Sequence, residues 1–479
     1  MKKNKVFSIG FLVFSLVLVA MIQAVWADEK YGLSFAELGT KYKAVYDDPR
    51  PFLKDFHKKI MPPETYAKVT FDLEAMKGTW AEVVGFKAPD VVGKIAPEIK
   101  PGTYTYKDKE KYPGFKELMI PGMYNRFMPG GPPFAGNFPE IKVVPTRQYY
   151  WALPIAEATK KNMGRTKQDD QGYMIPESYQ AGFPFPRPEG KFKAQQIVYN
   201  WEKTYYPGES SVQLIRGLGF TRNLKCDKAD NVLITELRLQ GRVFMEPYGW
   251  YDKRAESQRE RLGVSIKWFA PRDMFGNAIA TLVYLDANKP DLWLIYINVL
   301  RRIRRLTSTD TQDPLGGQDV IYDDKSGFFQ KLSSTQYPYK FELIAEREYL
   351  VPFASLDGST YLSSKGLEFH NLEMERRPMY VVKLTQTDKS YVYSYRIIYF
   401  DKETFQLVHA DNFDQKGRLY RTSENLPAFI PEMGMFTHFY TPYFDHLDLH
   451  STMGLLICLV SPSLGREVQD LGALVKGPK

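Results

Sequence analysis

The feature that most narrows the fold of this chain is a series of strand-like segments that are apolar on both faces. Leu292, Leu294 and Tyr296 fall on one side of an extended segment, and Trp293, Ile295 and Ile297 fall on the other, because side chains alternate along a strand. Residues 391–400 behave alike: Tyr391, Tyr393, Tyr395, Ile397 and Tyr399 share one face, opposite a mixed one. Candidate strands lie at 196–201, 232–244, 264–269, 279–285, 292–297, 341–350, 379–384, 391–400, 406–412 and 419–422. The text between them is turn-like, as in Asp401-Lys402-Glu403-Thr404 and Asp414-Gln415-Lys416-Gly417, and it has no strand–helix–strand rhythm. Parallel pairing needs long crossovers, so the sheet is expected to be antiparallel, with 391–422 as a meander. A sheet of that kind, apolar on both faces, needs cover on both. Packed helices can cover one face. A proline-rich lobe, a partner or a ligand-holding cavity can cover the other.

The first 27 residues read as a leader. Lys2, Lys3 and Lys5 precede an apolar run over residues 6–22, and Val25-Trp26-Ala27 offers a cleavage site. This is the pattern of a bacterial secretory signal, which places the protein in the periplasm, with peripheral attachment to the outer membrane as an extension. An uncleaved anchor is the alternative, since the run is nearly long enough to span a bilayer. Without the leader 479 − 27 = 452 residues remain, and the net charge falls from +8 to +5 because the leader holds three lysines and no acid. That charge is too small for a nucleic-acid footprint. Residues 28–190 hold 19 of the 32 prolines, so this stretch is expected to be a lobe of short helices and loops. Helices are expected at residues 34–46 and 154–162. Residues 191–425 form the β domain, and 426–479, with Pro427, Pro431, Gly434 and Pro442, read as an irregular or helical tail.

Few residues suggest reaction chemistry. His446 and His450 stand four apart with His438 upstream, a weak candidate for a metal site without an HExxH frame. No G-x-S-x-G elbow is present, so a serine nucleophile has no support. Cys226 and Cys458 are the two cysteines. They can pair in an oxidising compartment, although Cys458 sits in an apolar run that suits a buried thiol. Arg301, Arg302, Arg304 and Arg305 follow the strand 292–297 and precede Asp319, Asp323 and Asp324. The simplest reading pairs these arginines with the aspartates at the rim of the fold. The functional reading makes the cationic end a contact for a lipid, a membrane surface or a partner.

The run LWLIYINVLRRIRRL, followed by Gly317, Asp319 and Asp324, resembles the signature of the outer-membrane lipoprotein-sorting-like periplasmic proteins, relatives of LolA and LolB in a domain family of unknown function. The stretch SYQAGFPFPRPEGKFKAQQIVYN at 178–200 also resembles that family, and the likeness covers most of 178–452. One departure is Tyr296-Ile297-Asn298, where the family usually has a proline. The resemblance implies an α+β, mainly β fold: an antiparallel open half-barrel with covering helices and a concavity for acyl chains. Trp293, Ile295, Ile297, Tyr393, Tyr395 and Ile397 are then the candidate cavity wall. It further implies a non-enzymatic carrier without cofactor, with an RND-type inner-membrane transporter or an outer-membrane protein as partner. Sheltering a sixteen-carbon chain from water is worth roughly 12 kcal/mol at ~0.8 kcal/mol per CH₂, so a carrier needs a concavity and no catalysis.

Overall fold

The computed structural model describes residues 55–466, apart from 207, 308–309, 354–359 and 463, together with two short strands at Ala27–Asp28 and Leu33–Ser34. The leader and the helix expected at 34–46 lie almost wholly outside the described residues. Sixteen strands make one sheet. In chain order they are β1 (Gly102–Thr105), β2 (Glu140–Val143), β3 (Ser210–Phe220), β4 (Cys226–Arg238), β5 (Glu260–Ala270), β6 (Ala278–Tyr284), β7 (Leu292–Ile297) and β8 (Arg302–Arg305). They continue as β9 (Tyr339–Pro352), β10 (Glu373–Gln386), β11 (Tyr395–Asp401), β12 (Leu407–Phe413), β13 (Leu419–Glu424), β14 (Leu426–Ile430), β15 (Met435–Asp445) and β16 (His450–Val460).

Thirteen of these pair consecutively in the order β9-β10-β11-β12-β13-β15-β16-β3-β4-β5-β6-β7-β8, and every one of those pairs is antiparallel. β14 adds to β15, and β2 runs parallel to the start of β10 with β1 outside it. The path begins at β9 and ends at β8 without closing. The meander expected at 391–422 is β11-β12-β13.

The sheet is rolled. Tyr322 donates from its hydroxyl to Thr281 on β6 at 3.0 Å, while Asp324, two residues on, pairs with Arg396 on β11. Those strands stand eight spacings apart, about 38 Å in a flat sheet at ~4.8 Å per strand. Only a curled sheet lets one short segment reach both, so the half-barrel has an inner and an outer face.

Two expectations are corrected and one strand is added. Residues 196–201 are not a strand but part of the helix Lys193–Glu202. Its buried Ala194, Ile197, Val198 and Trp201 follow the i, i+3, i+4, i+7 spacing of a helix. The tail from 426 is not irregular up to 460, because it supplies β14, β15 and β16 to the middle of the sheet. Pro442 is tolerated there for a simple reason. β13 covers Tyr443–Asp445 and β14 covers Met435–Tyr440, so Pro442 sits in the gap, where no ladder donor is needed on that side. Residues 210–220, unassigned from sequence, form β3.

The outer face of β12, β13, β15 and β16 is covered by the proline-rich lobe. Helix α1 (Leu73–Val84) starts at Asp72, whose side chain accepts from the Ala75 amide at 2.7 Å, and ends at Gly85 with φ 88°. Its Trp80 donates to the Glu403 carbonyl at 2.7 Å. Helix α2 (Leu153–Asn162) begins with Pro154 in its first turn, and Trp151 just before it donates to Thr404 O at 3.2 Å. Both tryptophans thus seize the β11–β12 turn. Beneath them Arg377, fully buried, is held by Asp401 at 2.8 Å and Glu403 at 2.9 Å, and Tyr149 donates to Glu375 at 2.6 Å.

Removing one partner from such a network leaves buried charges unpaired, which costs roughly 3–5 kcal/mol. Arg377→Met is therefore expected to lower the urea midpoint of unfolding by a margin on that scale. A loss near zero would show that the lobe does not depend on the Arg377 cluster.

Candidate functional site

The inner face of the half-barrel is occupied by the chain itself. Residues 310–333 pass through it as three short 3₁₀ turns joined by extended links. Almost everything from Gln318 to Ser333 is buried. At the deepest point Ser326 (φ 53°) and Gly327 (φ 91°) turn the chain back. A Cβ on Gly327 would lie 2.4 Å from Leu407 Cδ2, so only glycine fits this close approach in that conformation.

Most side chains of this plug that meet the sheet are polar. Gln318 donates to Asp230 at 2.7 Å. Asp319 Oδ2 lies 2.6 Å from His450 Nδ1 and accepts from Thr452 at 2.7 Å. Asp323 accepts from Tyr391 and Gln330 at 2.7 and 2.8 Å. Asp324 pairs with Arg396 and accepts from Tyr393 at 2.6 Å. Lys325 pairs with Glu236, and Trp201 donates to Phe328 O at 2.8 Å. Ile321, Phe328 and Leu332 add apolar packing. Burial pushes the Asp323 carboxyl up to about 6, against the pull of Tyr391 and Arg396. Arg396 is held above its ordinary value: burial works against its charge, but Asp324 and the surrounding tyrosines outweigh it. The hydrogen bond to Asp319 raises His450 to about 9.

A cavity of about 70 Å³ remains between the plug and strands β4 to β7, well below the roughly 300–1,000 Å³ of ordinary ligand pockets. Its wall mixes Trp201, Trp293 and Phe328 with Glu236, Arg261 and Lys325. The space left is small, and seven of its nineteen lining residues are charged.

The residues expected to line a cavity do not share a face. Trp293 points inward, with its ring 4.0 Å from that of Tyr322, and Ile295 packs in the same cluster. Ile297 shares their face at the strand end. Tyr393 points inward to Asp324. Tyr395 and Ile397, by contrast, alternate with the inward Arg396 and so face outward, where Tyr395 stacks on Phe413 at 4.3 Å.

The expected rim pairing is likewise corrected. Asp319 and Asp324 are partnered by His450 and Arg396, whereas Arg302, Arg304 and Arg305 lie exposed on β8, with Arg301 in the turn before it. Among the described residues these arginines make no ion pair with Asp319 or Asp324.

The three histidines are also apart in role. His438 is buried against Tyr206 at 4.0 Å with neither nitrogen bonded, His446 meets Thr422 at 2.9 Å, and His450 belongs to the plug. Among the described residues no group of three or more His, Cys, Asp or Glu side chains is placed to hold a metal. Cys226 and Cys458 are not joined to each other, the first being exposed and the second buried.

A family model described as "Protein of unknown function (DUF1329)" matches residues 129–461. The chain belongs to this family. An uncharacterized protein of Pseudomonas aeruginosa is 23% identical over 354 residues, 67% of this chain and 68% of that one. Among solved structures, a DUF1329 family protein from Desulfovibrio piger is 15% identical with a TM-score of 0.41, covering 59% of this chain and 95% of its own. A LolA superfamily protein from Nitrosomonas europaea is 14% identical with a TM-score of 0.36, covering 57% and 96%.

Two outcomes test the plug. Arg396→Met alone is expected to destabilise the protein by about 3–5 kcal/mol, because Asp324 is left buried and unpaired. Adding Asp324→Asn should recover part of that loss in a denaturation-monitored double-mutant cycle, and strict additivity would refute the coupling. His450 is raised in the folded state, so its contribution is complete below pH 6.5 and disappears as pH rises through about 9. The difference in unfolding free energy between the native protein and His450→Gln should therefore be widest near pH 6, at most on the order of 2–3 kcal/mol, and should close toward pH 9.5.

Proposed function

We propose that this DUF1329 protein is a non-enzymatic carrier or binding protein of the periplasm. Its ligand is a lipid, a lipoprotein acyl chain or another hydrophobic molecule, and the plug is the element that ligand displaces from the half-barrel. The observation that supports this most is how the plug is fastened. The lobe on the outer face packs through fused aromatic clusters such as Tyr149–Phe429–Phe436. The plug on the inner face is attached largely at discrete polar points, to His450, Arg396 and Glu236.

The magnitudes are comparable. A net hydrogen bond is worth about 1 kcal/mol, so the plug's polar contacts sum to the same scale as the roughly 12 kcal/mol from sheltering a sixteen-carbon chain. Displacement would also uncover Trp201 and Trp293, which line the small cavity already present.

A second reading is favoured by the filled concavity itself. A half-barrel whose interior is permanently occupied acts through its surface, as an accessory subunit beside an RND-type envelope transporter. Crosslinking in intact cells followed by pull-down distinguishes this role by recovering the transporter.

A reversible lock tests the carrier reading. Asp319 and Thr452 are adjacent across the plug–β16 contact, with the Asp319 amide donating to the Thr452 hydroxyl at 3.1 Å. Asp319→Cys with Thr452→Cys, in a Cys226→Ser background, should take up a fluorescent fatty acid when reduced and lose most of that uptake when oxidised. Native protein that takes up none, or a locked form that binds as well as the reduced one, would overturn the proposal.

A further inference from the structure

The end of the half-barrel at β8 carries a surface that neither the plug nor the lobe uses. The β5–β6 turn (residues 271–277) and the β7–β8 turn (298–301) lie side by side, because Ala278 pairs with Tyr296. They are pinned together. The Asn298 amide donates to Asn277 Oδ1 at 2.9 Å, and its side-chain nitrogen donates to Phe275 O at 3.0 Å. Gly276, at φ 82°, lets Asn298 approach this closely.

On this double tip Phe269, Phe275, Val299, Leu300 and Ile303 are exposed, Val299 at 79% and Phe275 at 55%. They are five of the twelve large apolar residues exposed in the described chain, gathered on two neighbouring turns and the strand ends beside them. Such a gathering marks a contact surface rather than ordinary scatter. The polar text is basic: Arg272, Arg301, Arg302, Arg304 and Arg305 stand in residues 269–277 and 298–305 against one acid, Asp273.

We infer that this double hairpin tip docks the protein on an anionic lipid bilayer, with its apolar residues entering the headgroup layer and its arginines meeting lipid phosphates. Exposed aromatic and aliphatic groups beside cations are the combination that holds a protein at a membrane interface. The distribution of the arginines argues for a bilayer over a protein partner. Arg302 and Arg304 project to one side of β8, Ile303 and Arg305 to the other, and all four are exposed. A protein docking on one face would leave half of these cations unused, whereas a headgroup layer surrounds a tip that enters it. The surface lies outside the concavity, so this inference does not rest on the ligand reading.

Co-flotation of the mature chain with vesicles tests it. The native protein is expected to float with phosphatidylethanolamine–phosphatidylglycerol vesicles at least about tenfold better than with phosphatidylcholine alone, and the difference should shrink as salt shortens the screening length. Val299→Asp with Leu300→Asp, in an exposed turn, and Arg302→Glu with Arg304→Glu should each lower binding by about tenfold or more, with circular dichroism and melting temperature unchanged. If the arginine variant fails to fold, the turn variant carries the test alone. Equal binding to both vesicle types, or variants that bind like the native protein, would overturn the inference. Attachment to native membranes that is lost on protease treatment, with none to vesicles, would overturn it in favour of a protein partner.

Discussion

A rolled antiparallel sheet with apolar side chains on both faces cannot stand bare in water, and much of each face here is covered by the chain that makes the sheet. The outer face receives the proline-rich lobe, anchored by Trp80 and Trp151 on the β11–β12 turn. The inner face receives residues 310–333. Removing the lobe would expose apolar sheet surface, the condition under which β proteins aggregate, and removing the plug would strand buried charges such as Arg396 and Glu236. The other features of the molecule follow from satisfying that double demand with one polypeptide.

The two covers are physically unlike. An irregular segment crossing a sheet face has no ladder of its own, so its backbone and polar groups must be satisfied by side chains. Asp319, Asp323, Asp324 and Lys325 meet that need through His450, Tyr391, Arg396 and Glu236. Buried ion pairs of this sort add little net stability, since desolvation offsets most of the Coulomb attraction. What they supply is register: a plug shifted by one residue would leave charges without partners. The segment is therefore held in one place without the depth of apolar packing that fixes the lobe, and that difference is the physical basis of the carrier reading.

Much of the architecture was legible. The weak alternation of 292–297 and 391–400 required cover on both faces, and the proline count of 28–190 marked one source of it. The helix 193–202 was misread because Ile197, Val198, Tyr199 and Trp201 have high β propensity, although their spacing with Ala194 is helical. The strands past residue 426 were hidden by Pro427 and Pro442, residues that normally break sheets. The site was harder to read. Asp319 and Asp324 were singled out in the sequence, but the nearest cations in the text, Arg301 to Arg305, are not their partners. His450 and Arg396 lie 131 and 72 residues away, and no local pattern announces them.

By itself the sequence determined a β-rich chain with two-sided strands, a proline-rich cover and a cationic segment after β7. These properties are local, set by side-chain alternation, turn residues and charge along short windows. Only the tertiary structure decided that the aspartate-rich segment enters the half-barrel while the arginines stay outside on an edge strand. The reason is the curl of the sheet, which brings β6 and β11 within reach of one short segment and so gives buried partners to aspartates that neighbouring arginines in the chain could have claimed.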